Sequence, residues 1–351
     1  MILGLLPSPN PQERRVALVP AQVRTLVKQG VDVLVETGAG LGAGYADVAY
    51  EAVGARVVYD RMEALGRPDI VVCPGRPTRD ELLLMKTGAT IMGLIHRFGS
   101  PPAWLRAAAE AEIRVVGLEE VVSDDGRRLV QRRFAQIAGG VCPTIAGSLL
   151  QSDGGPGHGI LLGAIPGFPS AEVVIIGAGV LGRSAARAFS GLGAQVTLLD
   201  TSSKALEHAE TLPRRVNTRL SGPSSIAHAI GFANVVVLAA QKTGQPSPML
   251  IPKESLSKMA PGTLLMDLAI DQGGNAASSR PIYGPHEAWV ESGVIHFAMP
   301  NLASLVARTS SKVFSATINP WLLGAASGDE SMLAKLRAAE IVSPGVAGRQ
   351  A

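Results

Sequence analysis

The sequence predicts an α/β fold with doubly wound, mostly parallel sheets in two domains. Short apolar runs alternate with amphipathic stretches of about ten residues, and Gly or Pro separates them, as in strand–helix–strand units. Hydrophobic residues make up 46% of the chain and charged residues 17%, so the chain can form sizeable cores. Its 351 residues indicate two domains, at roughly 100–200 residues each.

The strand–helix pattern begins at the N-terminus. Strands are predicted at 2–6, 31–35, 69–73, 89–94 and 113–116, and helices at 21–29, 47–54 and 101–111. Asp47 is placed to cap the helix at 47–54, because Asp is favoured at a helix N-cap. A polar break at 123–128 precedes a helix near 134–151.

A second strand–helix series follows a turn-rich segment at 152–157. This series extends from residue 173 to about residue 297, and residues 301–325 have a mostly helical pattern. Residues 345–351 are predicted to be a loose tail.

Charge and composition exclude several classes of protein. The net charge is +3 and the charges are scattered, and aromatic residues make up 4%, so nucleic-acid binding is not expected. Cys73 and Cys142 form no metal-binding spacing, which predicts no metal site and a reducing compartment, the cytoplasm. The apolar residues 1–6 end at Pro7 without a basic leader, so neither a signal peptide nor a membrane span is predicted.

The strongest motif is a glycine-rich turn between a strand and a helix. The apolar run 173–176 leads into the turn, and a helix is predicted at 183–192. In such a turn the first glycine permits a tight bend, the second lets the backbone approach a pyrophosphate, and the third allows close helix packing. The candidate cofactor-binding residues of this turn are Gly177, Gly179, Val180, Leu181 and Gly182.

An acidic residue after the next strand supports a dinucleotide site. The strand predicted at 195–199 ends in Asp200, about twenty residues after the turn, where a carboxylate can accept from the ribose 2′-hydroxyl. A carboxylate there repels the 2′-phosphate of NADP, so the domain is predicted to be Rossmann-like and to bind NAD. Lys204 is near enough in sequence to soften that repulsion, which keeps NADP as an alternative.

Four polar residues flank apolar runs, where a doubly wound sheet binds its ligands. They are Arg15, His96, Asp271 and Asn301. His96 suits proton transfer because the pKa of histidine is nearest to working pH, and a guanidinium can bind a carboxylate with two hydrogen bonds. Spacing alone does not separate Arg15 from Arg14.

Two acidic residues near the end of the same apolar run leave two arrangements open. Asp267 and Asp271 are four residues apart, so an extended chain would place both on one face. A turn at Asp271 would separate them, leaving Asp267 structural and Asp271 available for proton or water handling.

Four segments match motifs of a known family. They are residues 13–20 (Glu-Arg-Arg-Val-Ala-Leu-Val-Pro), 35–42 (Val-Glu-Thr-Gly-Ala-Gly-Leu-Gly), 161–167 (Leu-Leu-Gly-Ala-Ile-Pro-Gly) and 267–274 (Asp-Leu-Ala-Ile-Asp-Gln-Gly-Gly). On these segments the chain resembles the alanine dehydrogenase and pyridine-nucleotide transhydrogenase family over nearly its whole length.

The resemblance implies two Rossmann-like domains with a cleft between them. Residues 1–134 and 304–351 would form a discontinuous substrate domain, and residues 135–303 an inserted NAD-binding domain. Family enzymes interconvert an amino acid with a 2-oxo acid and ammonia, with hydride passing between the substrate α-carbon and NAD. The expected protein is therefore an NAD-dependent amino-acid dehydrogenase that acts on small molecules and forms homo-oligomers.

The resemblance also implies roles for single residues. Arg15 would hold the substrate carboxylate, and His96 and Asp271 would be the catalytic pair. The residues implied to line the cofactor are Ser221, Ala240, Ile270 and Asn301.

The chain departs from the family pattern at two places. The family's substrate-binding lysine is replaced by Gly75, and the adjacent Arg76 is the candidate substitute. The family's Ser-Glu-Val-Ala-Gly-Arg run is Ala-Gln-Ile-Ala-Gly-Gly at residues 135–140, which removes a hydroxyl, a carboxylate and a guanidinium.

Two other functions stay open. Residues 96–100 (His-Arg-Phe-Gly-Ser), together with residues 13–16 (Glu-Arg-Arg-Val), resemble carboxyethyl-ornithine synthase, which implies NAD(P)H-dependent condensation of a 2-oxo acid with an amino-acid amine. The third alternative is a non-catalytic, transhydrogenase-like nucleotide-binding module, which would need a membrane partner.

Overall fold

The chain forms two compact units, for which the computed structural model describes residues 1–96, 100–209, 212, 216–241 and 246–343. Unit 1 comprises Met1–Phe134 and the chain from Ser304 onward, and unit 2 comprises Ala135–Ala303. The predicted tail and residues 97–99 of the His-Arg-Phe-Gly-Ser segment lie outside the described residues.

Unit 1 is built on a seven-stranded sheet. Its strands are β1 (Ile2–Leu5), β2 (Asp32–Glu36), β3 (Arg56–Val58), β4 (Ile70–Cys73), β5 (Thr90–Gly93), β6 (Arg114–Gly117) and β14 (Glu340–Val342). The strand order is β14-β6-β5-β4-β1-β2-β3, and every neighbouring pair is parallel except the antiparallel pair of β14 and β6.

Helices cover both faces of the unit 1 sheet. They are α1 (Pro20–Lys28), α2 (Asp47–Glu51), α3 (Arg61–Gly66), α4 (Arg79–Leu82), α5 (Pro102–Glu110), α10 (Ala307–Ser327) and α11 (Glu330–Ala338). Because successive strand residues face opposite sides, Val72 packs in the core that contains Phe314 of α10, and Val71 packs in the core that contains Trp104 of α5. Both faces are therefore buried, as expected for a parallel sheet.

Unit 2 repeats the same architecture. Its strands are β7 (Glu172–Ile176), β8 (Gln195–Asp200), β9 (Val216–Leu220), β10 (Val235–Leu238), β11 (Leu264–Asp267), β12 (Trp289–Glu291) and β13 (Val294–Phe297). The order is β12-β13-β11-β10-β7-β8-β9, with β12 the antiparallel strand. The helices are α6 (Leu129–Leu149), which contains the unit boundary, α7 (Val180–Leu192), α8 (Ser203–Glu207) and α9 (Pro223–Ile230).

The predicted α/β class with doubly wound, mostly parallel sheets is confirmed. In each sheet the chain first adds strands on one side and then crosses to the other, so the order reverses between β1 and β4 and between β7 and β10. Ligands of such sheets bind beyond the carboxyl ends of the strands at these reversal points. Among the described residues, no helix is both long and apolar enough to cross a membrane.

One local prediction is wrong, and one element begins earlier than predicted. Asp47 is the first residue of α2 and Ala46 is the N-cap, because the Asp47 carboxylate accepts instead from the Thr37 hydroxyl (2.7 Å) and the Gly38 N–H (2.9 Å). The helix expected near 134–151 is confirmed as α6, although it begins five residues earlier, at Leu129.

Candidate functional site

The glycine turn after β7 has the geometry that its sequence predicts. Gly177 has φ +115°, and a Cβ there would lie 2.5 Å from the Ala239 carbonyl oxygen. A Cβ on Gly182 would lie 1.8 Å from the Gly177 carbonyl oxygen, so α7 packs directly against the turn. A Cβ on Gly179, in contrast, would meet no described atom within 4 Å. Gly179 therefore leaves open space beside the N-terminus of α7, where Val180 and Leu181 form the first turn.

Asp200 ends β8 beside this turn. Its Oδ2 accepts from the Ala178 N–H (2.6 Å) and its Oδ1 from the Ser202 N–H (2.8 Å). The carboxylate thus joins the glycine turn to the loop before α8, and a carboxylate has about four acceptor positions. Ser221 lies on the neighbouring strand end, where its N–H donates to the Asp200 carbonyl (2.8 Å).

The loop after β11 separates the two acidic residues. Asp267 ends the strand fully buried and accepts from the N–H groups of Ala269 (3.1 Å), Asn275 (2.7 Å) and Ala276 (3.1 Å). Asp271 is exposed in a short 3₁₀ helix, Ile270–Gln272. Of the two arrangements open at the sequence level, the structure adopts the one with a turn.

Asn301 lies near Asp271. The Asn301 N–H points to the Asp271 Oδ2 at 3.4 Å, and Asn301 has φ +54°, a left-handed conformation that asparagine tolerates better than most residues. Ile270, Asp271 and Asn301 thus lie in the loops that follow β11 and β13.

The loop after β10 lies against the glycine turn. A Cβ on Gly177 would also lie 2.8 Å from the Ala240 nitrogen, and Ala239 donates to the Ile176 carbonyl (2.8 Å). Ala240 is half-buried there and its backbone is bonded by the side chain of Asn275. The glycine turn, Ala240 and the Asp267 loop are therefore connected at one edge of the unit 2 sheet.

Arg15 of unit 1 is buried and paired with Glu13. Its Nε donates to Glu13 Oε1 (2.8 Å) and its Nη2 to Glu13 Oε2 (2.5 Å), and the guanidinium lies 4.4 Å from the centre of the Phe134 ring. Glu13 takes two of the five guanidinium N–H donors and Phe134 supports the plane of the group. Arg15 is 3% exposed, so it is a buried arginine and not part of a solvated surface charge run.

His96 follows β5 with its backbone held by a buried carboxylate. Glu119, just after β6, accepts from the N–H groups of Ile95 (3.2 Å) and His96 (2.5 Å). His96 has φ +52°, and its side chain is exposed. Burial raises the pKa of the Glu119 carboxyl, and the charge of His96 opposes that shift. Two hydrogen bonds to one carboxylate thus support an uncommon backbone conformation at His96.

Arg76 is connected to the same loop through Ser100. The Arg76 Nη1 donates to Ser100 Oγ (2.8 Å), and Ser100 Oγ donates to the Ile95 carbonyl (2.6 Å). Partial burial lowers the pKa of the Arg76 guanidinium. A Cβ on Gly75 would lie 2.8 Å from Ser8 Oγ, so a side chain at position 75 would require Ser8 to move.

The candidate residues fall into one group in each unit. Unit 1 contains Arg15, Arg76 and His96; unit 2 contains the glycine turn with Asp200, Ser221, Ala240, Ile270, Asp271 and Asn301. In the described residues there is no group of three or more His, Cys, Asp and Glu side chains that could hold a metal ion.

Sequence reasoning missed Glu119 and Asn275. Glu119 comes just after the apolar strand β6, so the rule that selected His96 would also have found it. Asn275 lies eight residues beyond Asp267, and no local pattern indicates that its side chain returns to Ala240.

The strand order and the glycine turn define a two-unit α/β protein of the Rossmann type. Two family models match it: "Alanine dehydrogenase/PNT, N-terminal domain" over residues 8–138 and "Alanine dehydrogenase/PNT, C-terminal domain" over residues 143–350. The chain belongs to the alanine dehydrogenase/PNT family, as the four sequence segments indicate.

Similar proteins match over most of their length. The chain is 32% identical to the alanine dehydrogenase of Bacillus subtilis (strain 168), over 92% of this chain and 85% of that protein. It is 30% identical to the alanine dehydrogenase of Mycolicibacterium smegmatis, over 95% and 92%. Among solved structures, an L-alanine dehydrogenase superposes with a TM-score of 0.89 at 30% identity, covering 97% of this chain and 93% of that one. A transhydrogenase from Sinorhizobium meliloti gives 0.85 at 25% identity, covering 99% and 98%.

Proposed function

We propose that this protein is an NAD-dependent amino-acid dehydrogenase that interconverts an L-amino acid with a 2-oxo acid and ammonia. The observation that carries the proposal is its similarity to proteins named alanine dehydrogenase over about nine-tenths of the chain, with the glycine turn intact. Unit 2 binds the cofactor, and unit 1 binds the substrate.

The unit 2 residues fit a dinucleotide. Open space at Gly179 beside the N-terminus of α7 suits a pyrophosphate, and the Asp200 carboxylate has acceptor capacity left for ribose hydroxyls. The negative charge of Asp200 disfavours a 2′-phosphate, so NAD is preferred over NADP. Ser221, Ala240, Ile270 and Asn301 complete the cofactor site.

The unit 1 residues fit a substrate that bears a carboxylate. Arg15 holds the carboxylate, with Glu13 and Phe134 fixing the plane of its guanidinium. Arg76, which is half-buried and bonded to Ser100, supplies a second cation in place of the lysine that Gly75 replaces. Two cations at one carboxylate would compensate for its loss of hydration.

The reaction needs proton transfer as well as hydride transfer. NAD, held by the glycine turn and Asp200, would supply the acceptor for the hydride that leaves the α-carbon of the amino acid. The nitrogen gives up a proton, water adds to the resulting imine, and ammonia leaves as the 2-oxo acid forms. His96, exposed at the end of β5, takes and returns the proton, since imidazole is effective near neutral pH. Asp271 orients the water and stabilises the positive charge on nitrogen.

A second candidate replaces ammonia by a larger amine. The observation that favours it is the loss of side chains at Gly75 and at residues 135–140, where a Cβ on Gly140 would meet no described atom within 4 Å. Gly75 itself leaves no such space, because Ser8 Oγ lies beside it. The extra amine would therefore depend on the space at Gly140.

We also propose that the protein forms homo-oligomers in the cytoplasm. Leu161, Ile165 and Phe168 are 62%, 53% and 73% exposed in the loop before β7, and a second copy would cover such a patch. Light scattering of the purified protein gives the subunit number, and a monomer would contradict the homo-oligomer.

The deciding experiment is NADH oxidation by the purified protein. Pyruvate and larger 2-oxo acids are each supplied with ammonia and, separately, with ornithine or lysine. Turnover with ammonia is expected, and turnover only with the bulky amine would establish the second candidate instead. His96→Ala is expected to abolish turnover while NADH still binds, as measured by fluorescence titration. NADH binding by the wild type without any turnover would contradict both candidates and leave the non-catalytic module.

A further inference from the structure

Asn275 is a fully buried amide whose side chain bonds to a different loop. Its Oδ1 accepts from the Ala240 N–H (3.2 Å), and its Nδ2 donates to the carbonyls of Ala240 (3.0 Å) and Pro248 (2.8 Å). Because both carbonyls can only accept, the NH₂ group must face them, which fixes the orientation of the amide.

The Asn275 amide bonds to the backbone just beyond the point where strands β10 and β11 stop pairing. Strands β10 and β11 pair in parallel until Leu238 and Asp267, and the chain then diverges into two loops. Beyond that point the N–H and C=O of Ala240 need new partners, since unpaired buried backbone groups are costly. Asn275 satisfies both groups at once, as a neighbouring strand would, and so holds Ala240 where the strand pairing stops.

The backbone of Asn275 belongs to the loop that contains Asp271. Its N–H donates to the buried Asp267 carboxylate, and its carbonyl accepts from the N–H groups of Leu250 and Ile251. Gln272, next to Asp271, accepts through its carbonyl from the Ser247 N–H (3.0 Å). One residue therefore connects the loop after β10 to the loop after β11.

We infer that Asn275 is a positioning residue that holds the backbone of Ala240, beside the cofactor, in register with the loop that contains Asp271. The inference rests on the proposed function, in which Ala240 lines the cofactor and Asp271 acts at the reacting carbon. Asn275 reaches neither the cofactor nor the substrate; it acts through the two loops that do.

Loss of this amide should affect turnover more than cofactor binding. In Asn275→Ala the glycine turn and Asp200 remain, so the dissociation constant of NADH should change by less than about threefold. The backbone bonds of Asn275 and Gln272 between the two loops remain, but the side-chain bonds to Ala240 and Pro248 are lost. A misplacement of reacting groups by about 1 Å can reduce kcat by up to about 100-fold. We expect kcat to fall between about 10- and 100-fold in Asn275→Ala and to fall less in Asn275→Ser, which replaces the amide by a shorter side chain that can still form a hydrogen bond.

A matched control separates positioning from general destabilisation. Thr263 is buried at the opposite end of β11, where its hydroxyl donates to the Ala233 carbonyl (3.0 Å). Thr263→Val removes one buried hydrogen bond in the same unit, so it should lower Tm without lowering kcat. If Thr263→Val and Asn275→Ser reduced kcat equally at equal Tm, the positioning role would be refuted.

Hydrogen exchange of the full chain tests the connection without any turnover. Peptides that cover Ala240 and peptides that cover Asp271 should both exchange at least about tenfold faster in Asn275→Ala than in the wild type, and neither should do so in Thr263→Val. Unchanged exchange in either loop would overturn the inference. A wild type that oxidises no NADH would instead refute the proposed function, and the exchange result would still stand.

Discussion

Carboxylates at the carboxyl ends of the strands mostly bind backbone N–H groups. Asp200, Asp267 and Glu119 each accept two or more of them, so these side chains fix the loops around the candidate site. Asp271 differs, because it is exposed on a 3₁₀ helix. The pattern of polar residues after apolar runs identified both Asp267 and Asp271 as candidates. Only the turn at Ile270–Gln272 determines that Asp271, and not Asp267, faces solvent.

Changing Asp200 should alter cofactor choice. Asp200→Asn keeps the size of the side chain but removes the negative charge that disfavours a 2′-phosphate and weakens the bonds to ribose. The affinity for NADH is expected to fall about tenfold relative to that for NADPH, as measured by fluorescence titration with both cofactors. Asp153→Asn, at an exposed turn where the carboxylate accepts from the Gly155 N–H, is the control. Equal effects on both cofactors would exclude the ribose role.

Replacing Arg15 by lysine tests the carboxylate site while keeping the charge. A lysine cannot form the paired bonds to Glu13 and the substrate that a planar guanidinium forms. We expect KM for the 2-oxo acid to rise in Arg15→Ala by a factor equivalent to about 2–4 kcal/mol of lost binding free energy, and by less in Arg15→Lys. Steady-state kinetics with the 2-oxo acid varied measures both, and Arg14→Lys is the neighbouring control. An unchanged KM in Arg15→Ala would remove Arg15 from the site.

Most elements were predictable because their apolar residues form continuous runs, as in buried strands, or recur with the period of a helix. The buried strands β4 and β10 are continuous apolar runs, and α1 has its apolar residues on one face. Strand β14 was not predicted, since its three residues, Glu340–Val342, become a strand only through pairing with β6 and the Arg114–Glu340 ion pair. Such an element depends on a distant partner that no local pattern reveals.

Strand β13, which lies next to the edge strand β12, contains a histidine that should make stability depend on pH. His296 is buried, donates from Nδ1 to the Val294 carbonyl, accepts at Nε2 from Ser278, and stacks on Trp289. Burial lowers its pKa below the usual 6.5. The unfolded chain therefore binds a proton more readily below pH 6.5, so stability present above that pH is lost as the pH falls.

Urea unfolding at pH 7.5 and at pH 5.5 measures this effect. In His296→Gln the difference in unfolding free energy between the two pH values should shrink, although the variant is less stable at both by about 1–3 kcal/mol. His286→Gln, on an exposed 3₁₀ helix, should leave the pH dependence unchanged. If the difference in unfolding free energy between the two pH values were as large in His296→Gln as in the wild type, the pH dependence would arise from other groups.

At the scale of the whole molecule, both units have the same order for their first five strands and one antiparallel edge strand, which is the last strand of unit 1 (β14) but comes before the last strand of unit 2 (β12). The βαβ pattern predicts doubly wound sheets, and the resemblance predicts that the C-terminal segment returns to the first domain. The physical basis of that return is burial: Phe314, Ile318 and Trp321 of α10 lie in the same core as β1 and β2. Their helical period alone does not determine which sheet they cover.

Two buried phenylalanines, one in the core of each unit, allow the contribution of each core to stability and to cofactor binding to be tested separately. Phe314→Ala in unit 1 and Phe189→Ala in unit 2 should each lower the unfolding free energy by about 3–5 kcal/mol. Phe189 lies on α7, the helix that begins at the glycine turn, so only its loss should also weaken NADH binding. Thermal unfolding and NADH titration of both variants measure this. Weaker NADH binding in Phe314→Ala would contradict the assignment of the cofactor to unit 2.

The discontinuity of unit 1 also affects the order in which the protein folds during synthesis. A ribosome releases all of unit 2, residues 135–303, before it releases α10, α11 and β14. Until those last elements emerge, β6 lacks its antiparallel neighbour and the face beneath α10 stays uncovered. The N-terminal unit is therefore the last to be completed, the reverse of the usual N-to-C order, and its apolar face stays exposed for longest.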